Sequence, residues 1–228
     1  MDLKALAAER ALQYVTNEVK VLGLGTGSTA EKILDRLSLG IQEGQFKNLI
    51  GVPTSIRTQE YAKHLKIPIA TLDEVESIDL TIDGADEVDP KLNLIKGHGG
   101  ALTREKAVAR VSRQIIIIID ESKQVERLGT RLALPIEVLQ FGWTHVQRSL
   151  TNLGFTPILR LAATKRPFIT DQNNFILDCS FSNGISDPKK LDRTLNDLTG
   201  VVEHGLFLGM ANRVVVASAN GVEVLEME

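Results

Sequence analysis

Several short stretches of this chain carry residue types that can do chemistry. In the first, Gly25-Thr26-Gly27-Ser28-Thr29-Ala30 follows an apolar run and opens a helical pattern. Such a turn exposes backbone N–H groups at a helix N-terminus, where anions are favoured, and Thr26, Ser28 and Thr29 add hydroxyls. The run also matches G-x-G-x-x-A, one form of the dinucleotide fingerprint. That fingerprint wants an acid ~20 residues later to hold a ribose. Pro53, Thr54 and Ser55 stand there instead, and the Gly-Lys-Ser/Thr of a Walker A loop is absent. A small phosphorylated ligand suits what remains. The plain alternative is a tight strand–helix turn in which Ser28 or Thr29 caps the helix.

Asp83-Gly84-Ala85-Asp86 ends an apolar strand pattern and can aim two carboxylates into one cleft; the alternative is an acidic surface turn. A metal site is a rival reading: the pair lacks the spacing of a calcium loop and has no histidine pair beside it, while magnesium stays open on these residues alone. Lys96-Gly97-His98-Gly99-Gly100 then sets a cation beside three glycines, a loop able to hold an oxyanion, or else a flexible hairpin with a solvated lysine. Glu105 falls in the first turn of a helical pattern with Thr103 as its expected cap, and Lys123 follows another strand. His64, His145 and His204 carry no partner spacing and are read as structural or surface residues. Together the turns, acids, lysine and glutamate suit proton abstraction beside a carbonyl on a phosphorylated substrate.

The elements that must position these residues alternate. KVLGLG, NLIGVPT, IPIAT, SIDLTIDGAD and RQIIIIIDES read as strands, with helical patterns between them. That order argues for an α/β fold with a Rossmann-like, doubly wound, mostly parallel sheet. Beyond Leu132 the pattern changes to LALPIEVLQ, a helix from Trp143, the strand candidates FTPILRLA, PFITDQ and NFILDCSF, a helix DPKKLDRTLNDL, and VVEHGLF. This reads as a smaller α+β, ferredoxin-like domain inserted before the C-terminal strands. The expected domains are residues 1–130 plus 206–228 and residues 131–205, with the tail forming strands around Asn220-Gly221.

Composition narrows the classes. A net charge of −3 gives no basic footprint for nucleic acid. No apolar run approaches the ~18 residues of a membrane span. The N-terminal pattern lacks the apolar core of a signal peptide. The single Cys179 suggests a reducing compartment and a small core residue. A soluble cytoplasmic protein is expected.

GLGTGSTA, TIDGADEVD, KGHGGALTREK and DESKQVERLG, in this order and spacing, resemble ribose-5-phosphate isomerase of the A type, and LPIEV, FITDQNNFILD and GVVEHGLF extend the resemblance through the small domain. The resemblance implies interconversion of D-ribose 5-phosphate and D-ribulose 5-phosphate through an enediolate, without metal or cofactor. It implies Glu105 as the base, with Asp83, Asp86 and Lys96 assisting. Thr26, Gly27, Ser28, Thr29, Asp83, Gly84, Ala85, Asp86, Lys96, Gly97, His98, Gly99, Lys123 and Lys4 would line the substrate site. A homodimer or homotetramer is implied, with no nucleic acid or membrane partner. His98 stands where the family has a small residue or arginine, and Asn173-Asn174 replaces a glycine-containing turn. The alternative is a non-catalytic sugar-phosphate sensor, which would carry a DNA-binding helix-turn-helix; none is read here. A coenzyme A transferase would show an adenine site, and none is read. A magnesium-dependent phosphatase using Asp83 and Asp86 would lose activity to a chelator.

Overall fold

The computed structural model describes residues 2–226. In chain order its first elements are α1 (Leu3–Leu12), β1 (Val21–Leu24), α2 (Ser28–Gln42), β2 (Ile50–Pro53), α3 (Ile56–His64), β3 (Leu80–Gly84), β4 (Glu87–Val88), β5 (Leu94–Ile95), α4 (Leu102–Arg110) and β6 (Ile115–Asp120). Then come β7 (Leu134–Val138), α5 (Trp143–Asn152), β8 (Thr156–Leu159), β9 (Phe175–Ser180), α6 (Pro188–Asn196), β10 (Val201–His204), β11 (Leu206–Phe207), β12 (Arg213–Ser218) and β13 (Gly221–Glu226). The chain divides into two compact units: Met1–Ala85 with Arg104–Gln124 and Gly209–Glu228, and Asp86–Thr103 with Val125–Leu208.

The first unit holds a six-stranded sheet in the order β13-β12-β6-β3-β1-β2. Its neighbours are parallel except for the β12–β13 hairpin. From β1 the chain steps to β2 on one side and β3 on the other, so the strand order reverses between β1 and β3. Ligands of open α/β sheets bind beyond the carboxyl ends of strands at such a switch point. Leu22, Leu24, Leu80, Ile82, Ile116 and Ile118 face α1 and α2 in one core. Gly23 pairs with both Val52 and Thr81, which places Val52 on the opposite face, where it packs with Ile78 and Val108 of α4. With both faces covered, Ile115 to Ile119 of β6 are buried without a break, which explains the unpatterned isoleucine run.

The second unit contains β7-α5-β8-β9-α6-β10, with an antiparallel sheet in the order β10-β7-β9-β8. That is the ferredoxin-like arrangement. Val146 and Leu150 of α5 and Leu191 and Leu195 of α6 pack on Ile136, Leu177 and Cys179 of the sheet. Burial, then the neighbouring Asp178 charge, pushes the Cys179 thiol up to about 12. A three-stranded sheet, β11-β5-β4, belongs to the same unit.

Several elements depart from the sequence pattern. IPIAT makes a single bridge, Ile69 to Gly51. PFITDQ is not a strand: Leu161 bridges Pro167, and the chain then turns through a Thr170 N–H to Asn174 O bond. Asn173 sits in that turn at φ 60, the left-handed geometry asparagine tolerates. VVEHGLF is two strands in two sheets, β10 and β11, switching at Gly205. Residues 86–103 group with the second unit because β4 and β5 pair with β11, although their sequence position suggested the first. Among the described residues no helix is long and apolar enough to cross a membrane.

Candidate active site

In the first unit β1, β3 and β6 run parallel, so the segments after them emerge at one edge. They carry Gly25–Thr29, Asp83–Ala85 and Lys123. Gly25 is required by a close approach: a Cβ there would lie 2.6 Å from Asp83 Cα. The Asp83 carboxylate is buried and accepts the Thr26 N–H (3.0 Å) and the Gly84 N–H (2.8 Å), which pins the turn to the end of β3. Gly27 occupies the N-cap of α2 at φ 113, where a side chain would be strained. No side chain caps this helix, so Ser28 and Thr29 do not play the capping role of the plain alternative. Ser28 Oγ instead accepts Lys4 Nζ at 2.8 Å, which brings α1 to the turn. The first-turn amides of α2 have no intrahelical acceptor, as at any helix start.

The Thr26 hydroxyl faces inward. It lies 2.8 Å from Thr54 Oγ1 and 3.1 Å from Thr58 Oγ1, whose own protons go to the Leu24 and Gly25 carbonyls. Thr26 is therefore a donor into this network. Thr54 and Thr58, which sequence reasoning did not assign, hold the turn from beneath.

Glu105 is 6% exposed. Its place follows from the crossover. The end of α4 lies beside the start of β3, where Ile78 N–H donates to Val111 O and Arg113 N–H to Ile78 O. The helix runs back antiparallel to the strands over about 13 Å at 1.5 Å per residue, so its first turn returns toward their carboxyl edge. A cavity of about 520 Å³, lined by Pro53 at the end of β2 together with Arg104 and Val108, agrees with that course. Thr103 is not the cap; it lies inside α4 and its hydroxyl donates to Glu137 Oε2. Lys123 ends a short 3-10 turn capped by Asp120 and is half-buried.

The second unit holds Asp86 and the glycine cluster. Asp86 accepts the His98 N–H at 3.1 Å, and its own N–H donates to Ile95 O. Lys96 is 3% exposed, so it is not the solvated lysine of a loose hairpin. Its N–H donates to Gly205 O, and its ammonium lies 5.5 Å from the Phe207 ring centroid. Gly97 and Gly100 close a turn through a Gly100 N–H to Gly97 O bond, leaving His98 and Gly99 exposed. The His98 ring meets Ala133 O at 2.9 Å. Among the histidines read as structural, His204 is fully buried and accepts the Leu206 N–H, while His64 and His145 are exposed.

The family model for ribose 5-phosphate isomerase A (phosphoriboisomerase A) matches residues 50–221. The chain belongs to this family. It is 48% identical over 220 residues to ribose-5-phosphate isomerase A of Roseiflexus castenholzii, covering 96% of this chain and 93% of that one. It is 49% identical to the Chloroflexus aurantiacus protein of the same name, covering 96% and 91%. A solved D-ribose-5-phosphate isomerase in complex with phospho-erythronic acid superposes with a TM-score of 0.95 at 40% identity over 99% of this chain and 98% of that chain. The Plasmodium falciparum ribose 5-phosphate isomerase gives 0.95 at 41%, over 98% and 97%. The family activity is an aldose–ketose isomerisation, and this chain is an isomerase of that kind.

Two buried carboxylates escaped the sequence reading. Glu87 accepts backbone N–H groups from Gly129, Arg131 and Leu132. Glu137 accepts from Thr103, Thr170 and Asn174. A signal for Glu137 was present: LPIEV is a strand with apolar neighbours at every position, so its charge demands buried partners.

Proposed function

We propose that Glu105 is the single base that carries a proton between C2 and C1 of the open-chain pentose 5-phosphate, on one face of the enediolate. The observation that carries this reading is a buried carboxylate in a helix first turn that returns to the carboxyl edge of a sheet, where Asp83, Lys4–Ser28 and the uncapped start of α2 gather. A C–H beside a carbonyl is a weak acid, so its base must be ionised, close and shielded from water.

The substrate phosphate takes the amides and hydroxyls of Gly27, Ser28 and Thr29, with Lys4 and Lys123 as cations. Thr26 contributes backbone and methyl surface, its hydroxyl being turned inward. Asp83 and Asp86 handle hydroxyl protons and ring opening, with Gly84 and Ala85 forming the wall between them. Lys96 and the amides that follow, through Gly97, His98 and Gly99, stabilise the enediolate oxygen. One solved relative holds phospho-erythronic acid. That molecule is a phosphorylated four-carbon acid, and its planar carboxylate carries charge as an enediolate does. The same compound is expected to compete with substrate here. The reaction as drawn needs no metal or organic cofactor.

Self-association into a homodimer or homotetramer belongs to the same proposal. It is supported by an apolar stretch in the second unit, where Phe141 is 92% exposed and Leu139 46%. So does a cytoplasmic setting, which suits a free, buried Cys179.

The test is ribulose 5-phosphate formation from ribose 5-phosphate with excess chelator, for wild type and Glu105→Gln. Wild-type turnover with loss of at least about 1,000-fold in the variant, and retained binding of phospho-erythronic acid, is expected. Wild-type rates in the variant would remove Glu105 from the chemistry. Binding without turnover in the wild type would favour a sugar-phosphate sensor.

A further inference from the structure

Arg160 stands just past the end of β8, outside every stretch that carries the chemistry. Its guanidinium nevertheless ends on the glycine cluster. Nη1 donates to Gly97 O at 2.9 Å and to His98 O at 3.1 Å. The other edge of the same guanidinium is held by Asp178, through Nε to Oδ2 at 2.8 Å and Nη2 to Oδ1 at 2.5 Å. The side chain is 12% exposed, and its guanidinium carbon lies 5.9 Å from the centroid of the Phe168 ring. Phe168 also backs the loop: a Cβ on Gly100 would fall 2.4 Å from its ring. A fork with two parallel bonds to a carboxylate has one orientation, which a lysine cannot reproduce.

Peptide planarity carries this contact to the other side of the loop. A peptide C=O and the following N–H point in opposite directions. With the Gly97 carbonyl held by Arg160, the His98 N–H must point away, and it donates to Asp86 Oδ2 at 3.1 Å. With the His98 carbonyl held as well, the Gly99 N–H is likewise directed away from Arg160. The Gly100 N–H to Gly97 O bond closes the turn; Arg160 adds a second donor to Gly97 O and one to His98 O, and so holds planes that glycine neighbours restrain little.

We propose that Arg160, locked by Asp178, is a positioning residue for the isomerisation: it fixes the Gly97 and His98 peptide planes so that the amides beyond them face Asp86 and the substrate oxygens. This rests on the reading of Asp86 and Lys96 to Gly99 as substrate-binding. Arg160 acts through the loop and does not touch substrate. Its loss therefore lowers kcat, where oriented donors matter most, and changes KM little.

The experiment compares wild type, Arg160→Ala, Arg160→Lys and Asp178→Asn. Steady-state kinetics are read with hydrogen exchange of the peptide covering residues 95–101. Arg160→Ala is expected to lose about 30-fold in kcat, less than the ~100- to 1,000-fold typical of deleting an oxyanion donor outright. KM should stay within about three-fold, and exchange at His98 and Gly100 should accelerate. Millimolar methylguanidinium should restore part of the rate and methylammonium should not, because the fork is what matters. Arg160→Lys should recover little of the loss. Should Arg160→Ala fail to fold, Asp178→Asn still decides: it keeps the arginine, loosens the lock, and should show faster exchange and a smaller loss in kcat. Folded Arg160→Ala with wild-type kcat would overturn the proposal, as would unchanged exchange in Asp178→Asn or equal rescue by the two cations. An inactive wild type would sink the assignment of the substrate site, while the exchange data would still judge the clamp.

Discussion

Replacing Gly205 by alanine sets a Cβ 2.2 Å from the backbone oxygen of Lys96. That is about 0.8 Å short of the 3.0 Å below which real Cβ contacts essentially never fall. The offending atom is main chain, so no rotamer change relieves it. Gly205 cannot retreat either, because its N–H donates to Pro135 O at 2.8 Å and a Cβ would also meet Pro135 Cδ at 3.0 Å. The Lys96 peptide must therefore shift by nearly 1 Å, stretching its N–H bond to Gly205 O. Overpacking of this kind costs roughly 1–3 kcal/mol of stability. A misplacement of ~1 Å in a site can cost ~100-fold in rate. Lys96 is buried and assigned to the enediolate, so Gly205→Ala is expected to lose about that much in kcat/KM. Its melting temperature should fall by only a few degrees per kcal/mol, at about 2–4 °C each for a chain of this size. Gly209→Ala is the control. Gly209, unlike Gly205, has a positive φ, 62, and no atom lies within 4 Å of its Cβ position. It should lose about 1 kcal/mol of stability and keep its kcat. A Gly205→Ala enzyme within three-fold of wild type, or equal losses in the two variants, would refute the steric argument and with it the importance of where Lys96 sits.

Three further outcomes are expected. The Cys179 thiol is pushed from 9.0 to about 12 by burial first and the Asp178 charge second. Above pH ~9 the unfolded chain loses a proton that the folded chain keeps, so stability falls between pH 9 and 12 and is untouched below. In urea titrations, the stability difference between wild type and Cys179→Ala should shrink by about 1 kcal/mol from pH 8 to pH 10; a constant difference would contradict it. Glu137→Leu leaves Thr170 and Asn174 without the acceptor they share and should cost about 3 kcal/mol or more, while Glu137→Gln costs about 1; equal denaturation midpoints for the two would be the contrary result. Lys4→Met removes an exposed cation worth ~1 kcal/mol in water, so KM should rise about five-fold at unchanged kcat. That difference should fade in 1 M salt, where charges are screened within ~3 Å, and a salt-independent effect would point to packing instead.

What the sequence made legible is what is local in sequence. The glycine turn, the Asp-Gly-Ala-Asp end of β3 and the helix of Glu105 each declare themselves within ten residues, because a strand end, a turn and a helix start are short-range events. The parallel order of β1 and β3 then brings the glycine turn and Asp83 to one edge of the first unit's sheet, which alternation alone predicts. The ferredoxin-like unit was legible for the same reason, since Val146 and Leu150, or Leu191 and Leu195, show their period without reference to any partner.

The missed features depend on contacts that the local pattern does not show. PFITDQ has the composition of a strand, but it folds back on the residues just after β8 through one bridge, Leu161 to Pro167, and turns at once through the Thr170 N–H to Asn174 O bond, so no ladder extends. Thr103 has the type and place of a cap, yet a buried carboxylate 34 positions away, Glu137, takes its hydroxyl. Lys96 beside three glycines left an oxyanion loop and a solvated hairpin lysine both open; what the sequence did not show is that a glycine at the β10–β11 switch admits its backbone and an aromatic ring covers its ammonium. For Thr103 and Lys96 a distant partner decided the outcome, as expected where a buried polar group must find its partner or be expelled. Charged residues inside strand patterns, such as Glu137 in LPIEV or Arg160 beyond β8, are therefore informative. Their burial has to be compensated by something, and here both reach segments that carry the candidate chemistry: Glu137 the start of the Glu105 helix, Arg160 the loop of Gly97 and His98.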